Sequence, residues 1–152
     1  MTDALRHRQA GPPDLEILLS LLQAYYRHDG LRYVEDELRP SLARLLSHPS
    51  LGRAYLLELA GQVAGYALLT FGYDLELGGD LGLLTDLYVE PGWRRRGHGL
   101  ATLRFLEQLC RTLGIRALVL EVERHNVEAQ AIYRAFGFRA LDRIPLVKSI
   151  DR

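Results

Sequence analysis

Val89-Glu90-Pro91-Gly92-Trp93-Arg94-Arg95-Arg96-Gly97-His98-Gly99-Leu100-Ala101 is the stretch on which the reading of this chain turns. Before it, Leu83 to Val89 reads as a strand; after it, Gly97 to Leu113 reads as a helix closed by Gly114 as its C-cap. The first turn of a helix leaves N–H groups unpaired and carries partial positive charge, which suits phosphate. Glycines at 97 and 99 remove side chains that would keep a ligand off the backbone. Arg94, Arg95 and Arg96 add full charges and forked donors. The stretch therefore reads as a loop for a pyrophosphate-bearing ligand, against the plainer reading of a basic helix start on a solvated surface. A Walker loop is excluded, because no Gly-Lys followed by Ser or Thr occurs. A dinucleotide fingerprint fits poorly: seven residues separate Val89 from Gly97, and Thr102 takes the third glycine's place.

Working towards the amino terminus, Val63 to Phe71 reads as a strand weakened by Gly65. It is joined through a tight turn at Gly61-Gln62 to a strand from Ala54 to Ala60. Asp74 to Gly82, rich in Gly and acids, reads as a loop. A helix starts at Pro12-Pro13-Asp14 with Leu15, Leu18, Leu19, Leu22 and Tyr26 at helical spacing, and ends at His28-Asp29-Gly30. A second helix runs from Val34 to Ser47, with a break or kink expected at Pro40. Ala4 to Gln9 is a candidate first strand. Towards the carboxyl terminus, Ala117 to Glu123 reads as a strand, and Asn126 or Val127 to Phe136 as a helix closed by Gly137; the tail offers one or two further strands. The pattern is mixed α/β in a single domain, residues 1–152.

The bulk composition is that of an ordinary globular chain, with 48% hydrophobic and 25% charged residues. Nineteen basic side chains balance nineteen acidic ones, so no global field gathers nucleic acid, and an anionic ligand must be held by a local basic cluster. Cys110 is the only cysteine, which excludes an intramolecular disulfide and a cysteine-built zinc site; it falls on an apolar helix face and reads as core. The histidines show no metal-ligand spacing, so no metal is expected. The first residues lack the long apolar run of a signal peptide, and no stretch is long enough to span a bilayer. A cytoplasmic setting with no membrane partner is the expectation.

Arg94 to Gly99 fits the pattern Arg or Gln, two residues, Gly, one residue, Gly or Ala. Leu87-Tyr88-Val89-Glu90-Pro91 precedes it, and Leu120-Glu121-Val122, Asn126, Ala129, Tyr133 and Gly137-Phe138 follow it. From about Leu83 to Phe138 the chain resembles the GNAT superfamily of N-acetyltransferases. The resemblance implies an α/β (α+β) fold with a mostly antiparallel central sheet, helices on both faces and a splayed strand pair between which acetyl-CoA enters. It implies that Leu87, Tyr88 and Val89 contact the acetyl and pantetheine part through main-chain groups. Arg94 and the run Arg95, Arg96, Gly97, His98, Gly99 and Leu100 would hold the pyrophosphate, with Asn126 and Tyr133 along the other side of the pantetheine. Dimers are common among similar proteins, and the oligomeric state stays open.

Acyl transfer to an amine needs a base for the ammonium, donors for the developing oxyanion and an acid for the leaving thiolate. Tyr133 is the candidate acid; the alternative is a core tyrosine among Ile132, Phe136 and Phe138. Glu121 is the candidate base, because a carboxylate inside the apolar run Leu118 to Val122 is costly unless a cleft or a partner receives it; relatives with Leu-Glu-Val use this glutamate so. Asp86, which interrupts Leu83 to Leu87, is its rival and a candidate for holding the substrate ammonium. Polyamine acetyltransferases share Asp-x-Tyr-Val but carry a glutamate where this chain has Thr85. Tyr25, Tyr26, Tyr73 and Asp74 fall where acceptor sites form in the family. The expected function is direct acetyl transfer from acetyl-CoA to a primary amine of a small molecule or a protein N-terminus. The alternative is a non-catalytic acyl-CoA-binding module.

Overall fold

The structure is a computed structural model and describes residues 4–151. The chain divides into two compact units, one ending at Leu120 and one beginning at Glu121. The first carries strands β1 (Arg6–Gln9), β2 (Gly52–Leu59), β3 (Gln62–Asp74), β4 (Gly79–Val89) and β5 (Ala117–Leu120). It also carries helices α1 (Leu15–Asp29), α2 (Glu35–Ser47) and α3 (His98–Leu113). The strands form one sheet in chain order, antiparallel from β1 to β4 and parallel between β4 and β5.

Alternation along the strands divides the core into two layers. Ala54, Leu56, Tyr66, Leu68 and Tyr88 face α1 and α2, where they pack with Leu18, Leu19, Leu21, Leu22, Leu42 and Leu46. On the opposite face Tyr55 meets Phe105 of α3 edge-on at 4.9 Å, and His7 stacks on the same ring at 4.3 Å. Burial lowers the His7 pKa, and its Nε2 lies 2.9 Å from the buried hydroxyl of Thr102. Helices thus cover both faces of the sheet.

Several elements differ from the sequence-based expectation. The tight turn is Ala60–Gly61, both at positive φ, so β3 already begins at Gln62. Gly65 does not weaken β3: a Cβ there would stand 2.1 Å from the Tyr88 carbonyl oxygen, so its missing side chain allows β3 and β4 to approach. The expected loop from Asp74 to Gly82 shrinks to one 3₁₀ turn, Leu75–Leu77, because β3 and β4 pair out to Asp74↔Gly79. Helix α2 runs unbroken through Pro40; Asp36, whose carbonyl loses its bond there, is exposed to water. Strand β1 begins at Arg6 rather than Ala4.

The second unit contains α4 (Val127–Phe136), with Asn126 as N-cap and Gly137 as C-cap. The expected strand ends three residues early, at Leu120. Residues 139–151 form no strand, and Ile144, Leu146, Val147 and Ile150 are exposed. Among the described residues no helix is long and apolar enough to cross a membrane.

Candidate active site

The site in the first unit is built around an irregularity in β4. Its register against β3 shifts between Leu68↔Asp86 and Leu69↔Leu84, leaving Thr85 as an extra residue. Pairing with β5 also ends at that point, at Leu84↔Leu120. A bulge reverses which edge the following backbone groups address, and bulges recur beside active sites. The Glu90 N–H donates to the Ala64 carbonyl at 2.7 Å. By alternation from there, the main-chain groups of Tyr88 and Asp86 face β3, whereas those of Leu87 and Val89 face away from it. On that side β4 has no ladder partner beyond Leu84 among the described residues. The free N–H and C=O groups of Leu87 and the N–H of Val89 thus form an open polar edge.

The Val89 carbonyl is occupied: Arg94 Nε donates to it at 2.7 Å. The Arg94 guanidinium lies 5.4 Å from the centre of the Tyr88 ring, and its Nη1 stands 3.1 Å from His28 Nε2. Arg95 and Arg96 are exposed, with no acidic partner among the described residues; Arg96 lies over Trp93 at 5.4 Å. Arg95 has φ 61°, a conformation that costs a side-chain-bearing residue and concentrates at ligand loops. Gly97 follows at φ 81° as the N-cap of α3. Beyond the adjoining residues and the helix's own backbone, no atom of the described residues lies within 4 Å of the place where a Cβ on Gly97 or Gly99 would stand. The first intrahelical bond here is Ala101 N–H to Gly97 carbonyl, so the amides of His98, Gly99 and Leu100 are left free. Free amides, an unfilled space above two glycines and two unneutralised arginines suit a pyrophosphate. The residues present fit the nucleotide end of a coenzyme A.

Behind β4, Asp86 is buried on the face towards α1. The fully buried Tyr66 hydroxyl donates to it at 2.8 Å, and Thr85 supplies a further hydroxyl. Burial pushes the Asp86 carboxyl above the usual carboxylate range, the two hydroxyls pull it back, and Asp29 adds a small upward push. The groups that bond it are neutral hydroxyls. Tyr25 stands edge-on to Tyr26, Tyr66 and Tyr88, with ring centres 5.7, 6.4 and 5.8 Å away. Desolvation and the Asp86 charge raise the hydroxyl pKa of Tyr25, Tyr26 and Tyr66 alike. Tyr66 was not singled out in the sequence; its only signal is a tyrosine inside an apolar strand. Tyr73 is exposed at the far end of β3, where Asp74 accepts from the Glu76 amide.

In the second unit Glu121 directly follows the end of β5 and is exposed. The expectation of a carboxylate held inside a strand does not hold, because the ladder stops one residue earlier. Asn126 Oδ1 accepts from the Ala129 amide at 3.1 Å, capping α4. Tyr133 is half-buried and meets Phe138 edge-on at 5.8 Å. Among the described residues no group of three or more His, Cys, Asp or Glu could hold a metal.

An antiparallel sheet with a bulged, partly unpaired strand, beside a basic loop at a helix start, defines a fold suited to a pyrophosphate-bearing ligand. The family model described as Acetyltransferase (GNAT) family matches residues 15–138, and the chain belongs to this family. It is 31% identical over 87 residues to an aminoglycoside N(6')-acetyltransferase type 1 of Stenotrophomonas maltophilia, a match spanning 55% of this chain and 57% of that protein. It is 34% identical over 99 residues to a mycothiol acetyltransferase of Thermomonospora curvata, spanning 65% of this chain and 30% of that one. The chain thus matches under two thirds of the length of either relative. Among solved structures, an integron cassette protein from the mobile metagenome of Cole Harbour Salt Marsh superposes with a TM-score of 0.82 at 31% identity, over 96% of this chain and 91% of that one. An aminoglycoside N-acetyltransferase solved with CoA shares the fold, with a TM-score of 0.82 at 17% identity over 98% and 97% of the two chains.

Proposed function

We propose that this chain is an acetyl-CoA-dependent N-acetyltransferase that passes acetyl directly to a primary amine of a small molecule or a protein N-terminus. The observation that carries the reading is the open cradle at the start of α3, set after a strand whose edge amides are free. The family model runs from residue 15 to 138, through both units, which supports treating residues 1–152 as one acetyltransferase domain. The single cysteine and the lack of a long apolar run suit a cytoplasmic setting.

In this reading the amides from Arg95 to Leu100 hold the pyrophosphate, and the edge of Leu87 and Val89 faces the acyl arm and the negative charge that develops on the acyl oxygen. For Asn126 and Tyr133 the family resemblance implies cofactor contacts along the pantetheine. The amine nitrogen bonds to the acyl carbon as the carbon–sulfur bond breaks. Glu121, directly or through water, takes the amine proton, and Tyr133 gives a proton to the departing sulfur. Asp86 receives the acceptor's ammonium on the other side of β4, with Tyr26 beside it; its burial against neutral hydroxyls favours it over an exposed acid for that role.

The test is release of CoA thiol from acetyl-CoA over a panel of primary amines, including aminoglycosides, amino acids and peptide N-termini. Acceptor-dependent release is expected with at least one class. Tight acetyl-CoA binding with no release over the panel would favour the non-catalytic binding module instead.

A further inference from the structure

Arg94 opens the basic loop, yet its side chain points back into the protein. Its Nε caps the last strand carbonyl of β4, on Val89, its plane lies over Tyr88, and its Nη1 reaches His28 at the end of α1. Arginine has no acceptor, so the contact at 3.1 Å requires a lone pair on His28 Nε2. In neutral imidazole the remaining proton then sits on Nδ1, which donates to Asp29 at 2.9 Å. The Asp29 charge also acts on the Tyr25 hydroxyl, and Tyr25 packs on Tyr66 and Tyr88. Both ring nitrogens of His28, and Nε, Nη1 and one face of the Arg94 guanidinium, are therefore committed to joining α1, the end of β4 and the loop.

We propose that Arg94 and His28 form a strut that positions the phosphate loop, and that Arg94 acts through this geometry rather than by holding phosphate itself. The inference rests on the reading of the loop as a CoA cradle. Arg95 and Arg96, exposed and without acidic partners, are left as the charges a phosphate meets. Lysine keeps the charge of Arg94 but lacks the planar fork needed to reach Val89 and His28 together. The strut is thus separable from a phosphate contact: a point charge preserves one and not the other.

The experiment is calorimetric binding of CoA to wild type, Arg94→Lys, Arg94→Ala, His28→Ala, His28→Gln and the Arg94→Ala/His28→Ala double variant, at two salt concentrations. The strut predicts that Arg94→Lys and His28→Ala each weaken CoA by roughly tenfold, the scale of one charge-assisted hydrogen bond. The double variant should be no worse than Arg94→Ala alone, the signature of a shared interaction. His28→Gln, which retains an acceptor for Arg94, should recover part of the loss. The salt dependence of binding should be unchanged in Arg94→Ala, because a strut neutralises no phosphate, and a reduced dependence there would overturn it. Wild-type affinity in Arg94→Lys, or losses that simply add in the double variant, would overturn the strut. The side chain of His28 is 56% exposed, so its substitution spares the core and decides the matter even where an Arg94 variant fails to fold. Failure of the wild type to bind CoA would instead overturn the underlying reading of the loop.

Discussion

Tyr66→Phe isolates the buried hydroxyl that Asp86 depends on. The ring is fully buried and keeps its packing against Tyr25 and Tyr88, so the change removes one donor, 2.8 Å from the carboxylate, and little else. A hydrogen bond to a charged acceptor contributes about 1.5–3 kcal/mol, and a neutral one about 0.5–1.5 kcal/mol. The size of the loss therefore depends on the Asp86 proton. Its folded-state pKa is raised by burial, so the carboxyl keeps its proton to a higher pH than an exposed carboxylate does and is charged only on the alkaline side of its own titration. Tyr66→Phe should cost about 0.5–1.5 kcal/mol while Asp86 is protonated and about 1.5–3 kcal/mol once it is ionised. At the alkaline end a loss of about 1.5–3 kcal/mol lowers the melting temperature by roughly 3–12 °C for a domain of this size. Thermal and urea melts of wild type and variant across that pH range measure it. An equal penalty at both ends, or none at the alkaline end, would refute the placement of Asp86 as a buried acceptor of the Tyr66 hydroxyl.

Asp86→Asn tests the same acid through linkage. A carboxyl with a raised folded-state pKa contributes stability that is full below the unfolded value and lost as pH rises through the folded one, so wild-type stability should fall across that window and the variant's should not; urea midpoints against pH give the comparison. Gly97→Glu should abolish CoA binding, measured by calorimetry, since it sets a charged side chain in the open space of the cradle and forces a non-glycine residue to φ 81°. Tyr133→Phe should lower kcat by roughly 10²–10⁴-fold with little change in acetyl-CoA affinity if the hydroxyl protonates the leaving sulfur, and a wild-type kcat would reduce Tyr133 to packing. Glu121→Gln should alter the kcat–pH profile; an unchanged profile would move the base role to Asp86 or water.

The elements read most faithfully are those whose ends carry their own signals. Gly30, Gly114 and Gly137 each close a helix with left-handed geometry, and Asn126 caps α4 with its side chain, so α1, α3 and α4 were legible to within a few residues. What failed is what pairing decides. Gly78, Gly79 and Asp80 look like a loop in isolation, but the β3–β4 ladder extends through Tyr73↔Asp80 and Asp74↔Gly79. Leu118 to Val122 is a uniform apolar run broken only by Glu121, and nothing in it marks Leu120 as the last paired residue. The bulge at Thr85 is silent in Leu-Thr-Asp-Leu for the same reason. In the candidate site, the loop from Arg94 to Gly99 was visible because glycine, arginine and helix start coincide. The inward turn of Arg94 and the Tyr66–Asp86 pair were not, since both join residues distant in sequence: Arg94 and His28 are 66 residues apart, and Tyr66 and Asp86 are 20 apart.

The most direct measurement of the central claim is amide hydrogen exchange of the whole chain with and without acetyl-CoA. Bound cofactor should slow exchange at the amides from Arg95 to Leu100 and at Leu87 and Val89, the free groups of the cradle and of the open β4 edge, while the α1–α2 core stays unchanged. Protection confined to other segments, or none at saturating acetyl-CoA, would contradict the assignment of this loop as the cofactor site.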